Sequence, residues 1–223
     1  MMQPRITSRK EWLKERRTLL RDEKALIRYK DYIAQRRREL PWVKVDQDYE
    51  FMTDAGRKSL RELFGESSQL IVYHFMFGPD WDQGCPGCSQ VADSLNFAIP
   101  HIECRDVSVV AVSRADLEKL NAYKQRMEWS FNWVSSCDSE FNYDYYASYK
   151  DPGLSKKRWN FQTIEAELEE MHGVSVFVLH ADEIYHTYSC YARAVELLMV
   201  NLQYLDLCPK GRQNDVYETT RRA

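Results

Sequence analysis

The spacing of apolar residues changes several times along this chain, and each change marks a new element. Over residues 8–40, Trp12, Leu13, Leu19, Leu20, Leu26, Ile27, Tyr29 and Ile33 form a broken helical stripe among many charged residues. Ser8 and Glu11 have the S-x-x-E spacing of a capping box, and Pro41 stands just past the end. The pattern predicts one long, solvated helix with a single sticky side. From Leu70 to Phe77 the pattern is different: a nearly continuous apolar run with no polar alternation, as in a strand buried on both faces. Val107 to Val112 repeats that pattern, and Trp129 to Val134 gives a shorter version. Between the runs, Val91, Leu95, Ala98 and Ile99, then Leu117, Leu120, Tyr123 and Met127, recur at helical spacing. Strand and helix in alternation imply parallel βαβ units, hence an α/β protein with a central mixed sheet flanked by helices.

The remaining elements follow from breaks in the pattern. Tyr49 to Met52 followed by Asp54-Ala55-Gly56 predicts a strand and a tight turn, and Ser59 to Phe64 a capped helical turn closed by Gly65. Residues 137–172 form an aromatic-rich elaboration with a turn at Asp151-Pro152-Gly153. Thr163 to Met171 is expected to be helical and to end at Gly173. Val174 to Leu179 and Ile184 to Tyr188 read as a hairpin. A last helix is expected from Cys190 to Leu202, with Ala194, Leu197 and Leu198 facing inward. The organisation expected is a charged helical extension over 1–47, an α/β domain over 48–205, and a polar tail over 206–223.

Composition narrows the function classes. A net charge of −3 over 223 residues gives no reason to expect nucleic acid as a partner. No apolar run approaches membrane-spanning length, and the charged N-terminus lacks the apolar centre of a secretory signal, so a cytoplasmic protein is expected. The long helix offers a surface for a homodimer.

The chemistry gathers after the first buried strand. The chain breaks at Gly78-Pro79, loops through Asp80-Trp81-Asp82-Gln83-Gly84, and reaches Cys85-Pro86-Gly87-Cys88 at the start of a helix. Cys85 falls at the N-cap and Pro86 at the first helical position, where its missing N–H costs nothing. The thiol there faces unpaired backbone N–H groups and the positive end of the helix dipole, which favour the nucleophilic thiolate. Cys88, one turn on, is placed to resolve a mixed disulfide at Cys85. Asp80 and Asp82 are candidate proton acceptors, and their charge opposes a lowered Cys85 pKa. Trp81 is a candidate to cover the site. Cys104, Cys137, Cys190 and Cys208 lack diagnostic spacing, and no second C-x-x-C completes a zinc set, so neither a structural metal nor a cofactor is expected. Two alternatives stay open: a Cu(I) site formed by both thiols plus His74 or His186, and a tailoring enzyme or scaffold that uses the aromatic region as its pocket.

This order of elements, with C-x-x-C after the first core strand, resembles the thioredoxin fold over about residues 48–205. The run from Val109 through FNYDYY is similar to the peroxiredoxin-like branch. The segments FMFGPDW, GCPGCSQVAD, FNYDY, YHTYS and LDLCPKGR, after the Leu40-Pro41-Trp42 that ends the long helix, resemble a thioredoxin-like family labelled as a domain of unknown function. The resemblance implies a thiol–disulfide oxidoreductase or peroxiredoxin-like protein, acting on a disulfide or peroxide and restored by a cellular thiol reductant. It also puts Ser175 where thioredoxins carry the cis-proline that contacts substrate. Two departures weaken the transfer: Trp81 lies four residues before Cys85, and the P-x-x-x-T-x-x-C pattern of peroxiredoxins is absent.

Overall fold

The computed structural model describes residues 4–212, which fall into two compact units divided after Pro41. The first unit is α1 (Arg9–Arg38), and the expected capping box is formed. The Glu11 backbone N–H donates to Ser8 Oγ at 3.3 Å, and the Ser8 N–H donates to the Glu11 carboxylate at 3.4 Å. Arg36, Arg37 and Arg38 occupy the last turn, where cations complement the helix dipole.

The second unit is organised by an eight-stranded mixed sheet. Its elements in chain order are β1 (Val43–Lys44), β2 (Glu50–Thr53), β3 (Gly56–Ser59), a 3₁₀ turn over Glu62–Phe64, β4 (Gln69–His74), α2 (Pro86–Glu103), β5 (Val107–Ser113), α3 (Leu117–Arg126), β6 (Asn132–Ser135), α4 (Phe141–Asp144), β7 (Ser155–Trp159), β8 (Gln162–Ala166), β9 (Gly173–His180), β10 (Glu183–Tyr191), a 3₁₀ segment over Ala192–Leu198, and α5 (Val200–Leu205). Strand order in the large sheet is β1-β10-β9-β4-β5-β6-β2-β3. β4, β5 and β6 are parallel, whereas β9 runs antiparallel to β4 and β10 antiparallel to β9. The central run β5-β4-β9-β10, with α2 starting just beyond β4, is the thioredoxin arrangement.

The lack of polar alternation in β4 has the expected cause: both faces are covered. Tyr73, with Phe75 and Phe77 just beyond the strand, packs on the face covered by α2 and α3, among Val91, Ala92, Leu120, Tyr123, Trp129 and Trp133. Leu70 and Val72 pack on the other face with Phe51, Phe64, Val110, Phe141 and Phe177. Beyond His74 the chain still follows the sheet, with the Phe75 N–H donating to the Val112 carbonyl at 2.9 Å.

Four expectations are corrected. Val43 and Lys44 pair with His186 and Tyr185, so residues just before 48 belong to the sheet and not to the helical extension. Thr163 to Met171 is not helical. Asn160 and Phe161 both have positive φ (47° and 63°) and turn a two-residue hairpin that pairs β7 with β8, so the β-branched Thr163 and Ile164 prevail over the helix-favouring Glu residues that follow. Gly173 opens β9 and does not close a helix. The last helix is displaced and broken. β10 runs to Tyr191, a 3₁₀ segment follows, and Met199 takes extended dihedrals before α5. Val195 and Met199 are therefore the buried residues, whereas Ala194 is exposed and Leu197 and Leu198 are 62% and 50% exposed. Of the expected tail, residues 206–212 are described, and Arg212 is pinned to Asp206 and Glu196 at 2.6 and 2.8 Å. Residues 213–223 lie outside the described part.

Candidate active site

The loop leading to the thiols is tightly packed. Gly84 passes so close to the buried Phe75 ring that a Cβ would stand 2.6 Å from Cε1. The Cys85 N–H donates to the Met76 carbonyl at 3.0 Å, tying the N-cap to the chain just past β4. Cys85 then takes extended dihedrals (φ −60°, ψ 128°), Pro86 opens α2, and the Ser89 N–H donates to the Cys85 carbonyl at 3.0 Å.

The two thiols differ strongly. All six cysteines are free thiols, and Cys85 and Cys88 are hydrogen-bonded to one another. That bond, donated by Cys88, is the main reason the Cys85 pKa falls to about 6. Partial burial opposes the shift, and the N–H groups of Cys88 and Gly87 assist it. These N–H groups face the sulfur electrostatically without closing a capping hydrogen bond of ordinary geometry. Cys88 is fully buried, and burial together with the neighbouring Cys85 pushes its pKa well above the usual thiol value. Beneath it, the buried Tyr73 hydroxyl donates to the Cys88 carbonyl at 3.4 Å.

Cys85 and Cys88 are among the residues that line a cavity of about 360 Å³, with Cys85 the more exposed of the two. Tyr73, Val91, Val195 and Met199 form its apolar walls, and His172, Arg193 and Glu196 supply its polar groups. The His172 Nε2 lies 3.3 Å from the Ala192 carbonyl, which can only accept, so Nε2 carries the proton and Nδ1 the lone pair. Burial lowers the His172 pKa and keeps the ring a neutral base at neutral pH. His172 was not singled out from the sequence. It enters the site because it immediately precedes Gly173, which pairs with His74 at the end of β4.

The other expected site residues lie elsewhere. Asp80 and Asp82 are exposed in the loop and do not line the cavity; the groups that set the Cys85 pKa all lie within the Cys85–Cys88 turn. Trp81 is partly buried against the core, with Nε1 3.3 Å from a Glu169 carboxylate oxygen, so it packs the loop. Ser175 is corrected: three residues past His172, it is fully buried, with its hydroxyl 2.8 Å from both His74 Nε2 and Ser189 Oγ. The described residues contain no cis peptide.

The metal alternative loses both histidines named for it. His74 stacks on Phe141 and Tyr145, and His186 contacts Tyr145 and Phe177, all on the sheet face opposite the thiols. Among the described residues, no three His, Cys, Asp or Glu side chains are grouped to hold a metal ion. Likewise, no helix among the described residues is long and apolar enough to cross a membrane.

Fold and site together define a thioredoxin-fold protein with a dithiol at the start of the helix that follows its central strand. The chain belongs to the family described as bacterial protein of unknown function (DUF899), whose model matches residues 1–223. No curated protein matches it. Solved structures similar to it include a cysteine-to-serine variant of peroxiredoxin Q from Xanthomonas campestris, at 14% identity and a TM-score of 0.47, covering 70% of this chain and 90% of that one. Peroxidoxin BcpB from Mycobacterium tuberculosis is similar at 12% identity and a TM-score of 0.47, covering 74% and 97%. A peroxiredoxin Q variant from Xylella fastidiosa shows 12% identity and a TM-score of 0.46, covering 73% and 94%.

Proposed function

We propose that this protein is a thiol–disulfide oxidoreductase with Cys85 as nucleophile and Cys88 as resolving thiol. One observation carries the proposal: a hydrogen-bonded pair of thiols in which the cavity-facing member ionises near pH 6 and the buried member stays protonated. A thiolate attacks disulfide sulfur, and the group that must wait its turn should remain a thiol until then.

The reaction balances as a two-electron exchange. The Cys85 thiolate attacks one sulfur of a substrate disulfide, forming a mixed disulfide and releasing the first substrate thiolate. Cys88 then loses its proton and attacks the Cys85 sulfur, closing the Cys85–Cys88 disulfide and releasing the second thiolate. His172 is another residue of the cavity lining, and with its Nε2 engaged by the Ala192 carbonyl we assign its Nδ1 as the base for the Cys88 proton. A dithiol reductant reopens the bond by the reverse exchange.

The test is thiol trapping of the full chain across a glutathione redox series. A reversible Cys85–Cys88 couple between about −300 and −150 mV is expected. In Cys88→Ser, a mixed disulfide should accumulate at Cys85. If no intramolecular disulfide forms at any potential, the proposal is wrong. Sulfenic acid at Cys85 after hydroperoxide treatment, without disulfide exchange, would instead favour a peroxidase.

A further inference from the structure

We propose that the disulfide attacked by Cys85 belongs to a small organic molecule with an apolar body and an anionic end, not to a protein. The inference rests on the dithiol reading above and is carried by the wall in front of the thiols.

The wall is the stretch from Ala192 to Asn201. It is fastened along its length: the His172 imidazole holds the Ala192 carbonyl, the Val200 N–H donates to Ser94 Oγ at 3.2 Å, and Asn201 Nδ2 donates to Gln90 Oε1 at 3.1 Å. Val195 and Met199 are buried in the core that includes Val91 and Ala92 of α2. From behind, Arg212 grips Glu196 at 2.8 Å. A wall held this way is already in place before ligand arrives, so Cys85 faces a bounded cavity and not a flat surface. At about 360 Å³ the cavity lies in the range of about 300–1,000 Å³ that encloses small ligands.

A protein disulfide presented on an extended peptide is held best where unpaired backbone beside the nucleophile can bond it as an added strand. The chain next to the thiols offers little. The Met171 N–H donates to the Ala147 carbonyl at 2.8 Å, and Gly173 is paired on both sides, with His74 and with Tyr191.

The polar groups indicate the charge of the ligand. Glu196 is held by two guanidinium groups, Arg193 at 3.3 Å and Arg212 at 2.8 Å, so its own charge is compensated. Arg193 contacts it through Nε alone and is 85% exposed, leaving its two η nitrogens to meet an anion at the cavity mouth. Apolar walls with one such cation suit a disulfide of a small aromatic or aliphatic carboxylate.

The experiment follows oxidation of the reduced full chain by three probes, each rate divided by that of dithiothreitol with the same probe. The probes are dithiobis-nitrobenzoate (aromatic and anionic), cystamine (aliphatic and cationic) and insulin (a protein disulfide). The expected order places the anionic aromatic probe first and insulin last. Arg193→Glu, at an exposed side chain that can be changed without disturbing the core, should slow the anionic probe and speed the cationic one. Their ratio should fall on the order of tenfold. Insulin reduced as efficiently as the aromatic probe, or an unchanged probe ratio in Arg193→Glu, overturns the substrate class while leaving the dithiol couple standing. No Cys85–Cys88 disulfide with any oxidant overturns both.

Discussion

Cys85 and Cys88 share one hydrogen bond that drives their acidities in opposite directions, the first down to about 6 and the second well above the usual thiol value. The buried thiol donates, so the negative charge settles on the sulfur that faces the cavity. The proton stays where burial makes a charge costly.

This relationship sets a pH profile. Alkylation of Cys85 by iodoacetamide should be half-maximal near pH 6, level above it, and fall about tenfold per unit below, because only the thiolate reacts. Cys88→Ala removes the donor that lowers the pKa most, so the midpoint should move up. Mass-spectrometric rates across a pH series check both. An unmoved midpoint in Cys88→Ala would assign the shift to the helix terminus.

Gly84→Ala should destabilise the protein by about 1–3 kcal/mol, the usual cost of forcing extra volume into a packed site. The added methyl would meet the Phe75 ring at 2.6 Å, and Phe75 is buried and tied by its N–H to β5, so it has little room to yield. Denaturant melts read the stability, and the Cys85 alkylation rate reports whether the loop shifts with it.

Arg114 and Glu170 form a buried ion pair at 2.7 Å, with side chains 14% and 1% exposed, that fastens the segment before His172 to the end of β5. Ser148 also donates to Glu170, at 2.5 Å, and Arg114 donates to the Tyr143 hydroxyl. Arg114→Ala leaves the carboxylate buried without its cation and should cost about 3–5 kcal/mol. Glu170→Gln, which keeps neutral hydrogen-bonding capacity, should cost less. Equal losses in thermal melts would show that the charge itself is unimportant.

His74 gives the acid limb of stability. Burial lowers its pKa to about 3, from an ordinary value of 6.5. Between these values the unfolded chain binds a proton that the folded one does not. Stability therefore rises with pH across that window, and this single site contributes up to about 1.4 kcal/mol per unit. His74→Phe keeps a ring against Phe141 and Tyr145 and should flatten the slope between pH 4 and 6 by about one proton equivalent. An unchanged slope in urea melts would place the acid sensitivity elsewhere.

What could be read in advance was whatever depends on nearest neighbours in the chain. The capping box of Ser8 and Glu11, the strand at 107–112, a buried strand starting near Leu70 and Cys85-Pro86 at a helix start all follow from local spacing, and the structure contains each of them, although the first strand ends at His74 and not at Phe77. The errors fall where local signals conflict or a register slips. Glu-rich residues after Thr163 favour helix, yet the Asn160-Phe161 turn commits the chain to a hairpin. The expected last helix is broken into a 3₁₀ segment and α5 by the extended Met199, and Val195 and Met199 are buried in place of Ala194, Leu197 and Leu198.

Sequence alone determined the dithiol, its position at the start of a helix and the apolar strand before it, because the electrostatics of a helix terminus act over one turn. Tertiary structure decided which side chains share the cavity with it. His172, Arg193 and Met199 lie more than eighty residues after Cys88 and reach it because β9 pairs antiparallel with β4 and the chain beyond β10 folds back over α2. Asp80 and Asp82, only a few residues away, turn outward. Proximity along the chain constrains backbone conformation, but strand register decides which side chains meet across a fold.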